Sequence, residues 1–392
     1  MIEIAVVGIG NRAGKYLSCL SGRSDVRIKY LVEPDPLRLQ RAGNLYAVPE
    51  ENRFSTPYDF VTGASSVDGV IICSPDRSHY QIAVRCLERG WNVLLEKPAA
   101  VSYDECEDIV RIASERQLIA GVCLEMRYHT FYRRIKEIVD SGALGKIVSI
   151  AHTEFIGRDR MCHTFVRGLW SRAKESSPIF LAKCSHDADF VMWLTGGTAG
   201  RIDSMGSLTE YTLENAPSDA AERCVYCPLE AECAFSAVDL YRRRGDWTSG
   251  FDVPDGGTLE DTIETELIAG RYGRCVYKCD NDVYDRQSVS FVTSGGVAVN
   301  MYLDGVTDRE GRYTEIEFTG GRLVADGFIL RYGAAPDAET VEDFSALALE
   351  PLHGGADKAL LDDWIDSIRD HRPMESSLRE ALEGHRICIE AH

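Results

Sequence analysis

The hexapeptide Gly8-Ile9-Gly10-Asn11-Arg12-Ala13 constrains this chain more than any other feature, because of where it falls. It follows an apolar run at residues 2–7 that reads as a strand, and it opens a segment at 13–20 with helical periodicity. A G-x-G-x-x-A turn at such a junction is the fingerprint of a βαβ unit that binds a dinucleotide. Gly8 permits the tight turn, Gly10 lets the backbone approach a pyrophosphate, and Ala13 keeps helix and strand close. The first helical turn, with Asn11 and Arg12, offers free amides and a positive dipole end to the phosphates.

The pattern continues as the fingerprint requires. Short apolar runs at 26–32, 69–73, 92–95 and 118–124 alternate with helical patterns at 36–47, 79–89 and 103–115, which predicts a parallel sheet. Ser102-Tyr103-Asp104-Glu105 opens the last of these helices as a capping box. Glu33 ends the second strand, where a carboxylate accepts hydrogen bonds from both adenosine ribose hydroxyls and repels a 2′-phosphate. NAD is therefore expected in preference to NADP, although Arg38 lies near enough to keep NADP open.

After Arg127 the periodicity changes. A helix is expected at 130–140, ending at Gly142, and a strand at 147–155. From 275 to 332, extended runs are broken by Gly-rich turns at 294–296, 319–321 and 326–327, which predicts an antiparallel or mixed sheet. Residues 209–262, rich in Gly, Pro, Asp and Glu, read as a cysteine-bearing insertion or long loop. A helix pair at 357–369 and 378–392 closes the chain. The expected fold is α/β: a Rossmann domain over 1–125, then an α+β domain over 126–392 with an open, mostly antiparallel sheet.

At 392 residues the chain suits two domains. Its 62 acidic and 43 basic side chains give a net charge of -19, which repels phosphate backbones and anionic lipid, so neither nucleic acid nor a membrane is an expected partner. The sequence runs directly into its first strand without a signal peptide, and a cytoplasmic location is expected. Thirteen cysteines, most of them isolated in apolar runs, do not suggest a disulfide framework.

Glu96-Lys97-Pro98 ends the strand at 92–95 and so falls at the carboxyl edge of the sheet, where open α/β folds place ligands. Pro98 restricts Lys97 to extended geometry and stops a helix from running through it. Further on, Ser74-Pro75-Asp76-Arg77-Ser78-His79 follows the strand at 69–73, and Lys183-Cys184-Ser185-His186-Asp187-Ala188-Asp189 lies in a helical segment. With these motifs and the glycine fingerprint, the chain resembles the Gfo/Idh/MocA family, over nearly its full length. The resemblance implies that the Ser74-Pro75 loop runs along the cofactor with His79 beside it. It also implies that Glu96-Lys97-Pro98 reaches both nicotinamide ribose and substrate, and that the open sheet forms a homodimer or homotetramer interface.

Oxidising a secondary alcohol requires a base for the hydroxyl proton as the hydride leaves carbon. An imidazole with an unperturbed pKa of about 6.5 suits that task, which makes His186 the candidate base and Lys97 the donor to the developing alkoxide. The commoner family pattern has an aspartate four residues before the histidine; this chain has Ala182 there, and Lys183 three before it. Lys183 and His186 share a helix face, so a second ammonium is expected in the site, with the proton route left open.

Arg172, in a segment at 163–177 that resembles the family's loop closing over the nicotinamide, is a candidate substrate contact, with a solvated basic loop as the alternative. Arg127, where the chain crosses between domains, is counted with the cofactor residues, with a salt bridge or an interdomain wall contact as the alternative. Cys224, Cys227 and Cys233 are candidate ligands of a structural zinc. Zinc takes four ligands, and Cys275, Cys279, Cys184 or a histidine are open for the fourth place. With no second C-x-x-C pair, unligated thiols are the expected state.

The expected activity is hydride transfer between NAD(H) and a secondary alcohol of a sugar, inositol or related polyol. NAD-dependent redox-assisted glycoside cleavage and a non-catalytic cofactor-binding regulator are the alternatives.

Overall fold

The computed structural model describes residues 1–334 and 339–392. Strands β1 (Ile2–Val7), β2 (Val26–Val32), β3 (Arg53–Phe54), β4 (Gly69–Ile72), β5 (Asn92–Leu95) and β6 (Ala120–Val122) form one sheet in the order β3-β2-β1-β4-β5-β6. Every pairing in it is parallel. Strand β4 is buried along its whole length, and a parallel sheet of this kind needs helices on both faces. On one face lie α3 (Pro57–Gly63), α4 (His79–Glu88) and α5 (Tyr103–Glu115), with Phe60, Leu87 and Ile109 against Val70, Val93 and Leu95. On the other, α1 (Asn11–Ser21) sets Leu17 against Ile4 and Val6, while α2 (Pro36–Leu45) is capped by the Asp35 side chain. Connections leave β1 and β4 in opposite directions, which opens a crevice at the carboxyl ends of these two strands.

The second sheet contains β7 (Ile147–Phe155), β8 (Asp203–Ser207), β9 (Arg286–Val292), β10 (Ala298–Asp304), β11 (Gly311–Phe318), β12 (Gly321–Asp326), β13 (Ile329–Gly333) and β14 (Thr340–Asp343). Its order is β14-β13-β12-β11-β7-β10-β9-β8, antiparallel except where β7 meets β10. The three Gly-rich turns join β9 to β10, β11 to β12 and β12 to β13. The extended run expected from 275 begins later, at Arg286; a short turn at Val276–Lys278 stands before it.

Helices α6 (Thr130–Ser141) and α8 (Ile179–Thr195) bury one face of this sheet, separated in sequence by the short turn α7 (Arg158–Arg160). Helix α8 is buried nearly all round because it is covered twice, by the sheet and by α12 (Leu378–Glu390), and its buried polar residues Ser185, His186, Asp187 and Asp189 lie among apolar ones. The helices meet at Gly384, where a Cβ would lie 2.8 Å from the backbone nitrogen of Asp189.

Two sequence expectations change. The region 209–262 is more than a loop: its short helical turns, with α9 (Leu259–Ile268), enclose a small core of Cys224, Ala237, Val238, Leu240, Tyr241 and Leu267. The division at residue 125 separates the strands of the two sheets but not their cores. After the irregular turn α10 (Pro351–Gly354), α11 (Ala356–Asp370) returns to the first sheet and packs Leu360, Leu361, Trp364 and Ile365 against Ile4, Val6, Ile71 and Leu94. Among the described residues, no helix is long and apolar enough to cross a membrane.

Candidate active site

The crevice is built around the glycine fingerprint. Gly8 has φ +82°, and a Cβ there would stand 2.7 Å from the Cys73 carbonyl oxygen and the Ser74 nitrogen, so only glycine lets β1 and the loop after β4 meet. At Gly10 a Cβ would meet nothing within 4 Å, and no side chain caps the helix that begins at Asn11. Open space beside uncapped helix amides fits a pyrophosphate. Ala13 is fully buried against the sheet.

Glu33 is held at the end of β2 by two backbone amides, accepting hydrogen bonds from Ile9 of the fingerprint turn (2.7 Å) and from Asp35 of its own loop (3.0 Å). Arg38 forms an ion pair with Asp252 of the insertion, and Arg41 pairs with Asp255.

His79 ties the Ser74-Pro75 loop to the Glu-Lys-Pro turn: its ring nitrogens lie 2.6 Å from the Ser74 carbonyl and 2.8 Å from that of Pro98. Trp170 Nε1 (3.0 Å) and Ser177 Oγ (2.5 Å) both donate to Asp76, and Arg77 donates to the Ala173 carbonyl (2.8 Å). The segment at 163–177 is thus docked onto the loop after β4.

Glu96 receives Arg12 Nε and the Tyr16 hydroxyl on one oxygen, each at 2.7 Å, and the Lys97 amide on the other at 3.0 Å. Burial alone would raise its pKa, but the Arg12 charge and these hydrogen bonds outweigh burial and hold it below the usual carboxylate range. Arg12 also pairs with Asp357 of α11 at 2.8 Å. Its guanidinium therefore joins the fingerprint helix, the end of β5 and the C-terminal helix.

Lys97 Nζ donates to the carbonyl of Ala182, the residue before Lys183. Burial lowers the Lys97 pKa; Glu96 opposes that shift and the nearby Lys183 charge adds to it. Lys183 is not turned into solvent: its ammonium pairs at 2.7 Å with Glu154, a buried residue of β7.

His186 Nε2 stands 3.4 Å from Glu125 Oε1, both side chains largely buried. His186 Nδ1 and Glu125 Oε2 have no partner. Burial, with the charges of Lys97 and Arg312, pushes the imidazole well below its ordinary range, so it is neutral near pH 7. Glu125 also lies 3.7 Å from His353, which pairs with Asp357 at 3.0 Å. One polar network thus runs from His186 through Glu125, His353, Asp357 and Arg12 to Glu96.

The structure brings Lys97, Lys183 and His186 together. The carboxylates facing them, Glu125 and Glu154, were not singled out from the sequence; they come from the turn after β6 and from β7 and carry no local signature. The expectation for Arg127 gives way to its alternative. Its guanidinium is 4% exposed and forms a bidentate pair with Asp189 (2.7 and 2.8 Å), with further bonds to the carbonyls of Glu375 and Glu380. Buried and bonded through four of its five N–H groups, it braces α8 and α12. Arg172 sits at the surface beside Asp280 and Glu175. Cys224, Cys227 and Cys233 line a cavity whose wall includes Arg167 of the segment at 163–177.

Comparison with known proteins agrees with this layout. The family described as "Oxidoreductase family, NAD-binding Rossmann fold" matches residues 2–124, and the "GFO/IDH/MocA C-terminal domain" matches 132–238. YteT of Bacillus subtilis (strain 168) is 23% identical over 386 residues, covering 93% of this chain and 88% of that protein. Inositol 2-dehydrogenase 1 of Saccharopolyspora erythraea is 28% identical over 204 residues, 51% of this chain and 56% of that protein. The fold matches the crystal structure of an oxidoreductase from Agrobacterium radiobacter in complex with NAD+, L-tartaric acid and magnesium. The TM-score is 0.71 at 15% identity, covering 99% of this chain and 94% of that one. With an NAD-binding Rossmann sheet joined to the C-terminal domain of the same name, the chain belongs to the GFO/IDH/MocA oxidoreductase family.

Proposed function

We propose that this protein moves a hydride between nicotinamide and a secondary alcohol carbon of a sugar, inositol or related polyol, with NAD(H) as its cofactor. The observation that carries this reading is the convergence of Lys97, Lys183 and a neutral His186, with His186 Nδ1 and Glu125 Oε2 buried and unpartnered beside them. Buried polar atoms without partners at a crevice are places for substrate groups.

When bound, the nicotinamide supplies the hydride acceptor for oxidation and the donor for reduction. In the oxidative direction, Lys97 donates a hydrogen bond to the substrate oxygen as negative charge develops on it. His186 takes the hydroxyl proton while the hydride leaves carbon, and Glu125 stabilises the imidazolium that forms. Lys183, held by Glu154, is a second donor suited to a neighbouring hydroxyl, which favours a polyhydroxylated substrate.

Two features favour NAD over NADP. Glu33 sets a negative charge at the end of β2, and Arg38, the cation best placed to meet a 2′-phosphate, is already paired with Asp252. Like-charge placement of this kind costs several kcal/mol, so NADP+ is expected to bind at least ~100-fold more weakly than NAD+. We further propose a cytoplasmic homodimer or homotetramer joined through the second sheet, where Val148 and Val292 are about half exposed; light scattering tests the assembly.

Turnover with a panel of inositols, aldoses and sugar acids tests the activity. Net NADH formation, lost in Lys97→Ala while NAD+ binding persists, is the expected result. Bond cleavage without net NADH would replace this reading with redox-assisted cleavage, and tight NAD+ binding without turnover on any substrate would favour a regulator.

A further inference from the structure

Arg167 is fully buried, and among the described residues no carboxylate pairs with it. Its Nε donates to the Arg274 carbonyl at 2.8 Å and one Nη2 hydrogen bond reaches the Phe235 carbonyl at 2.7 Å, while Nη1 has no partner. A guanidinium taken out of water without a counter-charge costs several kcal/mol. Its surroundings lack an obvious anion but are rich in thiols. Arg167 lines a cavity of about 330 Å³ together with Cys224, Cys227, Cys233 and Cys275, and Nη2 lies 3.7 Å from Cys224 Sγ. Of the acids on that wall, Glu230 is paired with Arg243 and Glu232 is exposed.

The backbone explains why these four cysteines line one cavity. Two short helical turns, Cys224–Tyr226 and Glu230–Glu232, wind the first three around one side, with the Cys227 amide bonded to the Cys224 carbonyl at 3.1 Å. An antiparallel bridge between Arg223 and Arg274 brings Cys275 alongside, its amide donating to the Glu222 carbonyl at 2.9 Å. Sequence spacing leaves the fourth thiol undecided; the structure selects among the candidates. Cys184 is buried in the main core, and Cys279 turns its thiol to the Cys275 carbonyl at 3.3 Å and does not line the cavity.

We propose that Cys224, Cys227, Cys233 and Cys275 form a tetrathiolate site for a single zinc ion, with Arg167 as its built-in counter-charge. Four thiolate sulfurs are the donor set of a closed, structural zinc site. Binding replaces four S–H protons, which pass to water, and leaves a centre of net charge −2 with no change of oxidation state; Arg167 offsets half of that charge. Among the described residues no group of three or more His, Cys, Asp or Glu side chains already stands at metal-holding geometry. Cys227, Cys233 and Cys275 are only half-buried, and the proposed site requires their side chains to turn towards a common point. Because Arg167 lies in the same segment as Trp170, the ion would staple the insertion to the loop docked on Asp76.

The test is metal analysis of the full chain purified without chelators, followed by cobalt titration of the stripped protein. About one zinc per chain is expected, with the intense visible and sulfur-to-cobalt bands of a tetrahedral thiolate site on titration. Cys224→Ser, Cys227→Ser, Cys233→Ser and Cys275→Ser should each lose the metal, whereas Cys279→Ser should keep it. Arg167→Gln should keep the stoichiometry and weaken zinc affinity ~10- to 100-fold in competition with a chromophoric chelator. If the serine variants do not fold, the wild-type cobalt spectrum decides. Absence of thiolate bands, or iron with acid-labile sulfide in place of zinc, would overturn the site. Retention of metal by Cys275→Ser would overturn the choice of fourth ligand, and unchanged affinity in Arg167→Gln would overturn the counter-charge.

Discussion

Replacing Glu125 by Gln keeps its shape and removes the negative charge that faces His186. The two side chains, 14% and 9% exposed, stand 3.4 Å apart. At that spacing an imidazolium and a carboxylate attract by about 5 kcal/mol at an effective dielectric near ~20, and by about 1 kcal/mol in bulk water. Burial and the charges of Lys97 and Arg312 already disfavour protonated His186, with Asp187 opposing them. Loss of Glu125 weakens the base further. An intermediate cost of about 3 kcal/mol corresponds to a fall of ~100-fold in the rate of hydride transfer. The sign of the pH effect follows. A lower His186 pKa moves the acidic limb of the rate profile to lower pH while the plateau drops. Stopped-flow NADH formation across the pH range, with NAD+ affinity measured separately and expected to be unchanged, checks both. Adding Ala182→Asp to Glu125→Gln should recover part of the rate, because it returns an acid to α8 one turn before His186. An unaltered plateau and an unaltered acidic limb in Glu125→Gln would refute the proposed partnership.

Arg127→Met leaves the Asp189 charge buried without its partner and is expected to cost ~3–5 kcal/mol, read as a lower urea midpoint; Arg127→Met with Asp189→Leu should cost less than Arg127→Met alone, and simple additivity would show that the pair is not a unit. Burial, with neighbouring cationic groups, holds His129 and His163 at about 4 in the folded chain against an ordinary 6.5. The unfolded chain therefore gains these protons first on acidification. This stability is fully present above about pH 6.5 and is lost as pH falls towards about 4, so the urea midpoint should drop across that window and a flat profile would contradict it. Asp252→Asn frees Arg38 and should improve NADP+ binding by about tenfold or more, measured by fluorescence titration against NAD+; no change would remove Asp252 from cofactor choice.

Much of the first sheet could be read from the chain because each strand is a short apolar run followed by an amphipathic helix, and β1, β2 and β5 have the bounds their sequence predicts. Strand β3 is two residues long, too short to show any periodicity, and α3, although Thr56 caps it and Pro57 begins it, is only 7 residues long. Lys97 and His186 could be singled out because each sits in a short recognisable string. Their carboxylates could not, because Glu125 and Glu154 reach the site only through the crossing of a turn, a strand and α8. The same limit explains Arg127: next to a cleft in sequence, it finds Asp189 by tertiary packing. It also explains the destination of α11, whose apolar stripe says that it packs but not against which sheet.

That destination bears on how the protein is born. All six strands of the first sheet have been synthesised by Val122, yet one of its faces is covered in part by Leu360, Leu361, Trp364 and Ile365. Gly69 has no side chain because the Trp364 ring occupies its place, 2.7 Å from where a Cβ would stand. At a synthesis rate of about 5–20 residues per second, the nascent sheet waits on the order of tens of seconds for that cover. During that interval a greasy surface around Ile4, Ile71 and Leu94 faces the ribosome exit and its attendant chaperones. The last tenth of the chain therefore acts as a checkpoint on the first third: a message truncated before Ala356 yields a cofactor-binding sheet with one open side, a substrate for aggregation or proteolysis rather than a working half-enzyme.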